Sequence, residues 1–151
     1  FTEMTTETIM SCLSKLSEDS KPQWGMMTPQ HMVEHLEMGY RIASGEIQDF
    51  DVATPEKYLD KVHETLYNFE KMPQNHQMPL LKKGEVEVLK YEDLTTAKAK
   101  MLEARNEYLQ VFKDDVEKRT NNVVFGPLNR YEWYLLERKH VNHHFEQFGL
   151  L

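Results

Sequence analysis

The chain has 151 residues, 40% hydrophobic and 28% charged, a composition that fits one globular domain over residues 1–151 and excludes disorder or a coiled coil. Eighteen Lys and Arg against twenty-five Asp and Glu leave a net charge of −7, which argues against a nucleic-acid partner. No run of ~20 apolar residues or charged-then-apolar leader is visible, and one cysteine cannot make an internal disulfide, so no membrane partner and a reducing cytoplasm are expected.

The first helix is predicted from about Thr5 to Leu16, where Ile9, Leu13 and Leu16 recur at helical spacing. Cys12 falls inside that pattern and reads as a buried small hydrophobe. Lys21 to Gly25 is a loop. The second helix has a marked start, with Thr28 as cap and Pro29 at the first position, where no N–H is needed. Val33, Leu36, Tyr40 and Ala43 form its apolar stripe, and Gly45 marks its end.

Thr54-Pro55 repeats the start signal, and Tyr58, Val62, Leu66 and Phe69 predict a third helix with those residues on its apolar face. Pro73, Pro79 and Gly84 break the pattern, so Met72 to Leu94 reads as a long connection in which Glu85-Val86-Glu87-Val88 alternates like a brief strand. The fourth helix is predicted from Thr95 to about Lys118 on Ala97, Met101, Ala104, Tyr108, Val111 and Phe112. Asn121 to Leu128 reads as a loop around Gly126-Pro127. A capping box, Asn129 with Glu132, opens the fifth helix, which runs to about Phe148 before Gly149. The expected architecture is all-α, a four-helix bundle with an extra helix in a long crossover.

Five of seven histidines sit on two of these helices. His31 and His35 are one turn apart on the second, and His140, His143 and His144 lie on the fifth. At ~1.5 Å per residue, His35 lies roughly 10 Å into its helix from Thr28, while His144 and His140 lie roughly 7.5 Å and 13.5 Å before Gly149. In antiparallel neighbours, His35 then falls level with the middle of the His140/His144 pair. Three imidazoles leave open positions for water or substrate, the catalytic rather than the structural arrangement, and suit zinc, nickel or iron. His31, roughly 4.5 Å into its helix, is nearer the rim and reads as a fourth ligand, a pocket-edge base or a solvated residue. His31 or Glu34 is the expected proton carrier, and Glu137, one turn before His140, is a candidate to orient a ring. His143 should face a neighbouring helix or solvent. His63 and His76 read as surface residues.

Trp24-Gly25 with Thr28-Pro29-Gln30-His31-Met32-Val33-Glu34-His35-Leu36 is similar to the first ligand helix of the DinB-like (DinB/YfiT) superfamily. Phe125-Gly126-Pro127-Leu128 and His140-Val141-Asn142-His143-His144-Phe145-Glu146-Gln147-Phe148-Gly149 resemble its last helix, in a subfamily of unknown function. The resemblance implies an up-down-down-up bundle, a metal held by His35, His140 and His144, and a homodimer. It also implies a hydrolase or an S-transferase that uses a low-molecular-weight thiol on a small-molecule substrate. His31 departs from the family pattern. The chain further resembles the C-terminal extension of some bifunctional phenylacetate ring-opening enzymes, which would account for Phe1 in first place. The alternative expectation is a non-catalytic metal-binding association domain, appended to another enzyme.

Overall fold

The structure, a computed structural model, describes residues 1–76 and 86–151. These residues are mostly helical and carry one two-stranded sheet: α1 (Thr6–Lys15), α2 (Pro29–Ser44), α3 (Glu56–Tyr67), α4 (Leu94–Asp114), β1 (Thr120–Asn122), β2 (Gly126–Leu128) and α5 (Arg130–Gln147). Among them no helix is long and apolar enough to cross a membrane.

The two helices that matter most are fixed at both ends by their own sequence. Thr28 caps α2 by accepting from the His31 N–H, and the His31 ring reaches back to the Thr28 backbone N–H, completing a capping box. Gly45 closes α2 in the left-handed region at φ +90°, where a side chain would be strained. In α5 the Asn129 and Glu132 side chains cap each other's backbone N–H groups. Capping sets where each helix begins, and so sets the direction of every later side chain.

A single apolar core joins the five helices, with α3 adding only Leu66. Ile9, Cys12 and Leu13 come from α1, Met32, Val33, Leu36 and Tyr40 from α2, Ala97, Met101 and Ala104 from α4, and Trp133, Val141 and Phe145 from α5. The closest helix pairing is α2 with α4, where small Ala97 and Ala104 admit the neighbouring side chains. Cys12 is buried, its thiol donating to the Leu150 carbonyl, and burial raises its pKa, so it is no ready thiolate.

Several expectations need correction. Residues 121–128 are not a plain loop: β1 and β2 pair antiparallel, Thr120 opposite Leu128 and Asn122 opposite Gly126. Three-residue strands are too short for alternation to register, and the Asn122 side chain builds the turn by accepting from the Val124 and Phe125 N–H groups. Val86 to Val88 form no strand, and Glu85, Pro79 and Gly84 lie outside the described residues. Helix α4 stops at Asp114, because the Asp115 side chain takes the Glu117 N–H and starts a turn. In α3, Pro55 is the cap without a side-chain bond, and only Leu66 is buried. Tyr58 is 49% and Phe69 90% exposed, so the helical spacing there does not mark a core face. His63 is not a free surface residue: its ring bonds the Phe125 carbonyl and lies 3.6 Å from Glu132.

Candidate metal centre

His35 on α2 and His140 and His144 on α5 meet. Their ring centroids form a triangle with 4.9 Å on each side. One ligand nitrogen from each ring lies within 4.8 Å of the others, and Nε2 of His35 is 2.9 Å from Nε2 of His140. Zinc–nitrogen bonds of ~2.0–2.1 Å reach across separations of this order once the rings draw together. The three histidines therefore lie close enough to hold a metal ion.

The protonation of the rings suits that task. Burial holds His140 and His144 well below the usual histidine range, and the neighbouring rings add to the effect. Neutral imidazole is the ligand form. At His144 the tautomer follows from the hydrogen bonds. Nε2 of Gln147 must donate to the Trp24 carbonyl, 2.9 Å away, because a carbonyl can only accept. The other end of the amide, Oε1, then faces Nδ1 of His144 at 2.8 Å and can only accept from it. Nδ1 carries the proton, and the Nε2 lone pair is left free to bind.

This support is built from the chain ends inward. The Gln23 N–H bonds the Gln147 carbonyl, so the loop before α2 is tied to the last turn of α5. At Gly25, φ is +79°, where a side chain would be strained, and an added Cβ would fall 2.9 Å from Nε2 of Gln147 and push that amide aside. Trp24 also packs on His143, with ring centroids 5.5 Å apart, and His143 packs on His144 at 5.0 Å. His143 thus faces the ring cluster and a loop rather than a helix, half-buried, with burial lowering its pKa.

Nδ1 of His35 is buried and lacks a hydrogen bond among the described residues, but Oε1 of Glu87 stands 3.7 Å away, too long for a bond and close enough to become one. Glu87 is brought there by three ties between α2 and residues 90–91. Glu34 accepts from the Lys90 N–H, Gln30 donates to the Tyr91 carbonyl, and Glu37 accepts from the Tyr91 hydroxyl.

The remaining site candidates have other partners. His31 lines the cavity described below, but its Nδ1 is engaged by Thr28, 2.7 Å from Oγ1, and it is not part of the three-ring group. Glu34 is 5% exposed, and its two oxygens are taken by Gln30 and the Lys90 N–H. It does not line the cavity, and its carboxylate brackets residue 90. Asn142 bonds residue Thr2 and the Arg138 carbonyl, away from the rings. Glu137 makes no hydrogen bond to a histidine among the described residues. His76 is exposed at the cavity edge.

The cluster opens on a cavity of about 460 Å³. Trp24, Met38, Ile42, Val123, Phe125 and Trp133 supply much of its apolar wall, with Glu87, Glu137 and the histidines as polar points. The residues that spacing alone missed are Gln147 and Glu87. Gln147 had a signal, three residues after His144 on the same helix. Glu87 had none, because only the crossover's path brings it near. Compared with protein-family models, with curated proteins and with solved structures, the chain gives no match.

Proposed function

We propose that the chain is a metal-dependent enzyme of the hydrolase or thiol-dependent S-transferase type, acting on a small molecule at the three-histidine cluster. The observation that supports this is the coincidence of three convergent ring nitrogens with a largely apolar cavity of about 460 Å³. A metal bound by three protein ligands keeps open positions, where it polarises a substrate and lowers the pKa of a thiol or water. His35, His140 and His144 supply the ring nitrogens, burial keeps His140 and His144 neutral, and Gln147 holds His144 in the binding tautomer. The apolar wall excludes water from the substrate body. The donor set favours zinc or nickel, with iron as the third candidate.

The same proposal includes the finer architecture: α1, α2, α4 and α5 as an up-down-down-up four-helix bundle, α3 in the crossover, and a homodimer. The core shared by the four helices, to which α3 adds only Leu66 from its own length, supports the bundle. One buried, unpaired cysteine agrees with a cytoplasmic setting.

The test is metal per chain by elemental analysis after purification without chelator, followed by turnover of a panel of thioesters and thiol conjugates. Turnover that needs stoichiometric metal and vanishes in His140→Ala supports the enzyme. Tight stoichiometric metal with no turnover across the panel favours the non-catalytic binding domain.

A further inference from the structure

Glu137 is the one acidic side chain of α5 that lines the cavity, and no described residue pairs with it. It is 5% exposed, and its Oε2 is buried with no hydrogen-bond partner. Neither oxygen accepts a hydrogen bond from any described residue. Buried carboxyls are normally paired, because an unmet one costs the full loss of its hydration. Burial alone pushes this one up to about 8, with no neighbour offsetting it.

The space opposite it is also unusual. Gly39, in the middle of α2, faces Glu137: a Cβ there would meet Oε1 of Glu137 and the His140 ring, each at 3.6 Å. Glycine inside a helix costs ~1 kcal/mol relative to alanine. Here it leaves a slot beside the carboxyl and next to a metal-binding ring. Among the described residues that line the cavity, none is Lys or Arg. The described wall thus offers acidic groups and no Lys or Arg to a ligand's body.

We infer that Glu137 is the polar anchor of the cavity, and that the substrate is a largely apolar molecule carrying a hydrogen-bond donor, a hydroxyl or an amine, for Glu137 to hold. The donor meets Oε1 in the slot left by Gly39, within reach of the His140 ring, while the apolar body lies against Trp133 and Met38. The carboxyl therefore selects the substrate and sets its orientation relative to the ring cluster. This deepens the enzyme reading, and the binding step is measured without metal.

The probes are toluene, benzyl alcohol and benzylamine, which share one ring and differ in the donor. Their Kd values are measured by NMR titration on metal-free and zinc-loaded chain. The ratio of toluene Kd to benzyl alcohol or benzylamine Kd should fall about tenfold from wild type to Glu137→Met, the scale of one hydrogen bond. Glu137→Gln keeps an acceptor and should keep most of the ratio. Glu137→Met should also raise Tm by roughly 2–4 °C, because an unpaired buried carboxyl is removed. A structural role for Glu137 predicts the reverse. An unchanged ratio in Glu137→Met, a fall in its Tm, or no saturable binding of any probe to wild type overturns the inference. A preference for benzylamine that appears only with zinc, and survives in Glu137→Met, belongs to the metal and also overturns it. If the chain holds no stoichiometric metal, the enzyme reading fails while the metal-free ratio still tests Glu137.

Discussion

Helix α2 has two seams, and they are built to opposite rules. Against α4 it presents Leu36 and Tyr40, and Tyr40 packs on Tyr108 with ring centroids 5.6 Å apart. That seam is mostly apolar, and each large apolar side chain buried there contributes ~1.5–3 kcal/mol. Against α5 the same helix presents His35 and Gly39, which meet His140, His144 and Glu137. Two buried rings kept neutral, a carboxyl without a partner and a mid-helix glycine all cost stability. The contrast teaches that one helix can draw its stability from one face and place its chemistry on another. The polar seam is tolerated because the apolar one is so fully packed.

The widest break between the seams is expected from His35→Ala. It should abolish stoichiometric metal, read by elemental analysis after dialysis at fixed free metal and pH, while circular dichroism shows an intact helical fold. Retention of one metal per chain would mean that the three rings are not the ligand set.

Met101→Ala acts on the other seam. Met101 is fully buried on α4, and its truncation should cost about 2–5 kcal/mol in denaturant unfolding. Metal stoichiometry should not change. A metal loss as large as in His35→Ala would show that the seams are not separable.

The pH dependence of the metal-free chain sharpens the comparison. His140 and His144 have pKa values below the ordinary 6.5 in the fold. Below that pH the unfolded chain takes up protons that the fold refuses. Stability is therefore lost as pH falls through 6.5, by at most ~1.4 kcal/mol per pH unit for each ring. Glu137 works in the opposite direction. Its pKa is raised from 4.5 to about 8, so its contribution is fully present at low pH and is lost as pH rises toward 8. Stability should peak near pH 6.5, and Met101→Ala should lower the whole curve without moving that peak. A monotonic curve would remove the account of both groups.

Gln147→Leu should weaken metal binding about 10–100-fold, the range for a group that orients a ligand. The mechanism is loss of the acceptor that keeps the proton on Nδ1 of His144, so nitrogen NMR of that ring should show mixed tautomers in the metal-free variant. An unchanged affinity would mean that packing alone orients the ring.

The smallest effect is expected for His31→Ala. Its ring completes the α2 capping box, so the loss should cost roughly 0.5–1 kcal/mol of stability, with metal largely retained. If it empties the site instead, His31 leaves its cap to become a ligand.

Much of this was legible in the chain itself. The start of α2 at Thr28-Pro29, the capping box of α5 and the glycines that end both helices are local signals, carried by residues within one turn of the boundary. Once helix phase is set by a cap, His35, His140 and His144 fall at matching depths, which is why spacing could propose them together. Cys12 was readable as a buried residue from periodicity alone. Only the tertiary structure decided the rest. His31 and His35 share a helix face in sequence, but the cap takes one ring and α5 meets the other. Glu34 and Glu137 look alike as helix carboxylates; the path of residues 90–91 covers the first, and nothing described pairs with the second. Glu87 reaches His35 across 52 residues of sequence, and the Oε2 of Glu137 is buried only by the packing of the folded chain. Local sequence fixes where a helix begins and which way its residues point, but whether a polar side chain is paired depends on neighbours that only chain packing supplies.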